Sequence, residues 1–348
     1  MGGGELPHRG DLEGHGRYFN RRPAGFQPAL PAHKFATDTV NPPPAIIDRR
    51  IMSDRVLIFA NPIAGSGQGR VFAERIATRL LRDRLDPRLI FDRADRVDPQ
   101  HLAPPLRAAV AIGGDGTVRT VARCLFHALG ERMPPLLVCP MGTANLLGRH
   151  LGTLWPPDTL ADSVSAAIAA MKILHLDAAT ANGELFLLMA GVGLDAKVVH
   201  ELDRIRSGPI DIVSYALPAA MAFGFYHYPP LTVTVDGRAV CRSLPGVAFI
   251  GNIKEYGTGF PILPHATPDD GLLDVCILPC KTRGEAIRQF LLAAAGEHLT
   301  GEGAIYTKGK QIHVEAAEQI PVQIDGEAAG HTPLTCALLP MRIPFIVP

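Results

Sequence analysis

Three glycine-rich segments follow apolar runs in this chain: NPIAGSGQG at 61–69, GGDGT at 113–117 and MGTANLLG at 141–148. Glycine takes up left-handed and other unusual conformations at little cost and lets backbone N–H groups approach a ligand closely. The ligand such loops suit is a phosphate. In GGDGT, residues Gly113, Gly114 and Gly116 bare amide donors, and the N-terminus of a following helix adds its positive end. Asp115 sits among these donors, and a carboxylate beside phosphates calls for a cation to reconcile the charges, which points to Mg²⁺. The bland alternative is an Asp-Gly turn that caps a helix. None of the three segments fits GxxxxGK[ST], and none is a GxGxxG with an acid twenty residues on. A nucleotide held here is held in another way.

The elements around these loops alternate in type. RVLIFA (55–60) is a short apolar run bounded by turn residues, hence a buried strand, and Phe72, Ile76 and Leu80 recur at helical spacing within 70–84. RLIFD (88–92), a weak helix near 99–107, AAVAI (108–112), a helix over 117–129 and PLLVCP (135–140) continue the pattern. Strand and helix in alternation imply a doubly wound parallel sheet, whose ligands bind beyond the carboxyl ends of the strands. After residue 176 the texture changes to short apolar runs between Gly, Pro and Asn turns, with helical interludes near 195–228 and 282–296. Strands without intervening helices imply an antiparallel β-rich part. The expected division is a 1–51 disordered extension, a 52–176 α/β nucleotide-binding domain and a 177–348 β-rich domain whose C-terminal end returns to the first.

The remaining bounds are negative. The 348 residues carry 34 Lys and Arg against 34 Asp and Glu, so no global basic field points to nucleic acid. Six cysteines, without a CxxC pair, read as reduced, buried thiols in a cytoplasmic setting. Thirteen histidines show no HExxH pair, which argues against zinc. Residues 1–51 lack apolar periodicity and a signal-type apolar segment, and Met52 is a candidate natural start. The apolar stretch 210–228 is near bilayer-spanning length, yet Asp211, Pro218 and His227 interrupt it. A buried or interface-touching helix is expected there.

Five segments together, NPIAGSGQG, GGDGT, GTANLLGRHL, PHATPDDGLLDV and IDGE, resemble the diacylglycerol kinase catalytic-domain family in order and approximate separation, over about 54–340. That family includes bacterial lipid kinases, sphingosine kinases and ceramide kinases. The resemblance implies an NAD kinase-like α/β domain, an antiparallel β-sandwich domain and ATP in the cleft between them. Asn61, Gly65, Ser66 and Gly67 match the first nucleotide loop, Gly113, Gly114, Asp115, Gly116 and Thr117 the phosphate loop, and Thr143 the third loop. Asp325 and Glu327 match the element that carries the proton acceptor for the lipid hydroxyl. Thr267, Asp270 and Leu272 fall where bacterial members bind a structural Mg²⁺. The implied activity transfers the γ-phosphate of ATP to diacylglycerol or a related lipid.

On a strand, two carboxylates separated by one residue share a face, so of Asp325 and Glu327 one is expected to act as base while the other orients it or binds metal. Asp-Gly is also a strong hairpin signal, and an exposed turn is the bland alternative. One departure stands out. Many members carry an aspartate after the Asn of the third loop, where this chain has Leu146; the missing acid belongs to a network with the GGDGT aspartate and another carboxylate, here Asp177. Peripheral contact with a membrane is expected, with Phe223, Phe225, Tyr226 and Tyr228 as candidate wall residues, and a homodimer is a fair expectation. Two other readings stay open: an NAD kinase-like phosphotransferase, which leaves IDGE unexplained, and a non-catalytic nucleotide- or lipid-binding protein.

Overall fold

The first apolar run, Arg55–Ala60 (β1), is buried from Val56 to Ala60, as a strand covered on both faces must be. Alternation assigns its two faces. Val56, Ile58 and Ala60 share one core with Phe72, Ile76 and Leu80 of the helix Gly69–Arg82 (α2), which follows the single turn Ala64–Gly67 (α1). Leu57 and Phe59 share the other core with Val118, Val121 and Leu125 of the helix Asp115–Leu129 (α3). A sheet with helices packed on both faces is the result.

A computed structural model describes residues 54–348 except 63, 92, 98, 206–225, 258 and 301–302. The 1–51 extension, Phe223 and Phe225 therefore lie outside the described residues, as does 210–225 of the apolar stretch. All described residues belong to one compact unit, Asp48–Pro348, so both sheets are parts of one body.

The strands Asp86–Ile90 (β2), Ala108–Gly113 (β3), Leu136–Pro140 (β4) and Lys172–Leu176 (β5) join β1 in a six-stranded sheet. Its order is β2-β1-β3-β4-β17-β5, where β17 is Ile343–Val347. β17 lies parallel to β4 and antiparallel to β5, between them in the first sheet. The helices Leu146–Leu151 (α4) and Leu160–Ala170 (α5) complete this half. Where a weak helix was expected at 99–107, only a 3₁₀ turn forms, Pro99–Leu102. Pro104 and Pro105 lack amide donors and stop it.

The other half is a curled antiparallel sheet. It contains Ala179–Ala181 (β6), Glu184–Phe186 (β7), Met189–Val192 (β8), Pro230–Val235 (β9), Arg238–Gly251 (β10), Leu273–Pro279 (β11) and Ile305–Gly309 (β12). Gln311–Glu315 (β13), Pro321–Ile324 (β14), Glu327–His331 (β15) and Leu334–Leu338 (β16) follow. β10 holds the curl together: it pairs with β9 through residues 238–245, with two register shifts, and with β8 and β11 beyond Gly246. Inside lie Val192, Val233, Ile250, Val275, Ile312, Val322 and Leu334. The helix Leu194–Ile205 (α6) follows β8, and Arg283–Ala294 (α7) follows β11. All six cysteines are free and five are buried. Among the described residues no helix is long and apolar enough to cross a membrane.

Candidate functional site

The three glycine loops are stitched together at the carboxyl end of β3. The amide of Asn61 donates to the Ile112 carbonyl at 3.1 Å, and that of Met141 donates to the Gly113 carbonyl at 2.8 Å. Gly114 and Gly142 meet backbone to backbone: a Cβ added to Gly142 would stand 2.6 Å from the Gly114 Cα. No side chain fits at Gly142, and a Cβ on Gly114 would crowd the Gly142 Cα at 3.3 Å. Gly65, in the left-handed region at φ +57°, faces Met141 of the third loop. Thr143 lies in a turn that Asn145 closes, its side chain accepting from the Gly142 amide and donating to the Gly142 carbonyl, each at 2.7 Å. Gly67 is exposed; the side chain of Ser66 lies outside the described residues.

Asp115 opens α3 behind an extended Gly114, so the helix starts two residues before the expected 117. Its carboxylate turns toward the third loop and accepts the amides of Leu146 and Leu147 at 3.0 and 3.1 Å. It thereby caps α4 from outside, satisfying donors that the first turn of a helix leaves unpaired. Burial pushes the Asp115 carboxyl up, against the amides of Leu147, Leu146 and Asn145 and its own. At Leu146 this chain uses the backbone N–H. Asp177, expected near Asp115, instead accepts from the Gly271 amide at 2.6 Å and from Arg342 Nε at 2.7 Å.

IDGE is a hairpin turn. Asp325 (φ 49°) and Gly326 (φ 80°) are both left-handed, and Ile324 pairs with Glu327 across the ends of β14 and β15, the pattern of a type I′ turn. The chain reverses between the two carboxylates, so the expectation that they share one strand face does not hold. Asp325 folds inward and accepts three amides, from Leu187 and Leu188 at 3.0 Å and from Met189 at 2.9 Å. Burial pushes its carboxyl up, opposed by the charge of Arg119 and by those amides. Glu327 points the other way, to the GGDGT loop. A Cβ on Gly116 would stand 2.7 Å from its Oε1, and its Oε2 is paired with Arg119. Arg119 also donates to the Ile324 carbonyl at 2.9 Å, tying the hairpin to α3. Glu327 is half-exposed while Arg119 is 14% exposed.

A second layer holds the turn from below. The Gly326 amide donates to Gln323 Oε1 at 2.9 Å, and Gln323 Nε2 donates to Asp195 Oδ2 at 3.3 Å. Gln323 is fully buried. Among the described residues, Asp195 Oδ1 is buried without a hydrogen-bond partner. Burial pushes the Asp195 carboxyl up to about 7, opposed by the Ala196 amide, by Gln323 and by its own amide. A carboxyl raised on folding stabilises most below its unfolded pKa, and that stability is lost as pH rises through the folded value. From about pH 4 to pH 7 this group is expected to cost the fold on the order of 2–4 kcal/mol. Asp195→Asn should flatten that decline, as urea midpoints at pH 5 and pH 8 will report. An unchanged difference between the two midpoints would contradict it.

The expected Mg²⁺ residues form a separate cluster. Asp270 Oδ1 accepts the Leu272 amide at 3.0 Å, the Thr267 carbonyl accepts the Asp270 amide at 3.4 Å, and Asp270 Oδ2 accepts from Lys308 Nζ at 2.8 Å. An ammonium group thus stands against the carboxylate expected to ligate metal. Among the described residues, no group of three or more His, Cys, Asp or Glu could hold a metal ion.

Sequence reasoning missed Arg119, Gln323, Asp195 and Lys308. Only Arg119 carried a signal, four residues after Asp115 and so on the same helix face.

Two family models match this chain. One, described as "Diacylglycerol kinase catalytic domain", covers residues 55–179, and the other, "YegS C-terminal NAD kinase beta sandwich-like domain", covers 189–347. A Pseudomonas aeruginosa (strain UCBPP-PA14) protein named "Probable lipid kinase YegS-like" is 31% identical over 247 residues, 67% of this chain and 74% of that one. The Bacillus subtilis (strain 168) diacylglycerol kinase is 27% identical over 245 residues, 69% and 77% of the two chains. A crystal structure of a diacylglycerol kinase from Bacillus anthracis str. Sterne superposes with a TM-score of 0.64 at 26% identity, over 85% of this chain and 97% of that one.

Proposed function

This chain belongs to the diacylglycerol kinase catalytic-domain family of lipid kinases, and on that premise we propose that it moves the γ-phosphate of ATP onto the hydroxyl of diacylglycerol or a related lipid. The observation that carries the reading is the placement of Glu327 against Gly116: a carboxylate delivered by the curled sheet meets the phosphate loop delivered by the parallel one.

Phosphoryl transfer asks for positioning, neutralisation of the γ-phosphate oxygens and a group that takes the alcohol's proton. The amides at the start of α3, with the loops of Asn61–Gly67 and Gly142–Asn145 beside them, are suited to cradle the phosphates. Mg²⁺ would supply Lewis-acid charge neutralisation. Protein carboxylates plus nucleotide phosphates commonly share that ion, and Asp115, whose oxygens accept the Leu146 and Leu147 amides, is the protein carboxylate suited to it. Glu327 takes the proton from the lipid hydroxyl, because it alone of the hairpin carboxylates faces the loop. Asp325, with three amides on its oxygens, positions the turn. Arg119 orients Glu327.

The lipid arrives from a bilayer. On α7, the side chains of Ile287, Phe290 and Leu291 are 51, 44 and 61% exposed, at i, i+3 and i+4 of one helix face. Exposed Lys281, Arg283 and Arg288 flank them, the combination that suits an anionic membrane surface. Co-sedimentation with vesicles of anionic lipid is expected, and Ile287→Ser with Leu291→Ser should weaken it several-fold. Undiminished co-sedimentation would remove this face from the reading.

The activity itself is tested by incubation with γ-labelled ATP, Mg²⁺ and a total lipid extract, with NAD as a parallel acceptor. Label should enter a lipid. Label on NAD, or none transferred to either, would overturn the proposal.

A further inference from the structure

Lys308 lies on β12 directly across from Asp274 on β11, in an antiparallel register that runs from Leu273↔Gly309 to Ile277↔Ile305. Its ammonium makes two hydrogen bonds and a further ion pair. It donates to Asp270 Oδ2 at 2.8 Å and to the His265 carbonyl at 2.9 Å, and it stands 3.2 Å from Asp274 Oδ2. Asp274 is fully buried, and its other oxygen accepts from the Tyr306 hydroxyl at 2.5 Å. In the loop the Thr267 carbonyl accepts the Asp270 amide, and the Leu272 N–H donates to Asp270 Oδ1. A divalent ion needs several oxygens converging on one point. Here the carboxylate oxygen that would lead such a shell already holds an ammonium. The cluster does not fit the structural Mg²⁺ expected at Thr267, Asp270 and Leu272.

We propose that the Lys308 ammonium is the permanent cation of this loop, pinning residues 265–274 to β12 and making the fold of the β-rich half independent of a structural metal. The physical reason is local. Asp274 is buried, and a buried carboxylate must be paired with an opposite charge or protonated; a lysine placed opposite it in the sheet supplies that charge covalently and at any magnesium concentration. The same ammonium then reaches Asp270 and His265 and fixes the loop. That role does not depend on which lipid the protein phosphorylates, or on whether it phosphorylates one.

The test uses nucleotide-free protein, because magnesium that enters with ATP belongs to another site. The thermal midpoint of the wild-type chain should be the same, within about 1 °C, in EDTA and in millimolar MgCl₂, since an ion that does not bind the native state shifts nothing. Crystals soaked in MnCl₂ should show no anomalous peak at Asp270. Lys308→Ala should lower the midpoint in EDTA by roughly 5–10 °C, as expected for a buried charge left unpaired in a chain of this size, and MgCl₂ should restore part of the loss. A manganese peak at Asp270 in the wild type, a magnesium-dependent wild-type midpoint, or a Lys308→Ala chain as stable in EDTA as the wild type would each overturn the proposal. If Lys308→Ala does not fold, the two wild-type measurements decide alone.

Discussion

Glu327→Gln is expected to slow phosphoryl transfer by about 10²–10⁴-fold, the range that a positioned proton acceptor contributes, while ATP affinity stays within a factor of a few. The substitution keeps the shape of the side chain and an oxygen that can accept from Arg119, while it removes the negative charge and with it the ability to take a proton. Nucleotide binding should survive because the hydrogen bonds that hold the three loops together do not involve the Glu327 carboxylate: the Asn61 amide to the Ile112 carbonyl, the Met141 amide to the Gly113 carbonyl, and the Leu146 and Leu147 amides to Asp115. Single-turnover kinetics with saturating ATP and calorimetric titration of ATP separate the two quantities. A rate within a few-fold of wild type would remove Glu327 as the base.

Asp325 should behave differently, and the difference separates base from scaffold. Asp325→Ala strips the acceptor from three amides, Leu187, Leu188 and Met189. Orphaned donors cost ~1–3 kcal/mol each when buried, and alanine at a left-handed φ adds ~1 kcal/mol. A loss of about 3 kcal/mol or more is expected in urea unfolding. Activity should fall with it, because the turn that aims Glu327 loses its anchor. Asp325→Asn keeps a carbonyl oxygen and a residue that tolerates positive φ, so it should be milder in stability and retain far more activity than Glu327→Gln. If Asp325→Asn were the more inactive of the two, the assignment would reverse, with Asp325 as base.

These assignments show where sequence reading succeeds and where it stops. The GGDGT loop and its helix were legible because every signal is local: an apolar run of strand length, glycines at its end, then Val118, Val121 and Leu125 at helical spacing. The Asp-Gly hairpin in IDGE was legible too, as the bland alternative. What failed was the inference built on a strand that does not exist between residues 324 and 327. Asp325 and Glu327 diverge because two left-handed residues reverse the chain between β14 and β15, and no periodicity rule covers a turn. Strands β12, β15 and β16 went unread since their buried residues are few and interrupted, as in the EAAGH of β15. Contacts such as Lys308 to Asp274, Gln323 to Asp195 and Arg119 to Glu327 span between 34 and 208 residues of sequence. They are set by sheet register and by how the two sheets meet, and neither is written in a local pattern. Leu146 illustrates the converse: the missing side chain is visible in sequence, but the N–H that takes its place in the contact with Asp115 is not.

In the proposed function, the hairpin of the curled sheet and the glycine loops of the parallel sheet make one phosphoryl-transfer site. The most direct test is a crystal structure with Mg²⁺ and a non-hydrolysable ATP analogue. The expected density places the γ-phosphate against the amides of Gly114, Asp115 and Gly116, with the Glu327 carboxylate facing it across a gap that a lipid hydroxyl can fill. A triphosphate bound away from those amides, or a Glu327 turned from the γ-phosphate to bulk solvent, would contradict it.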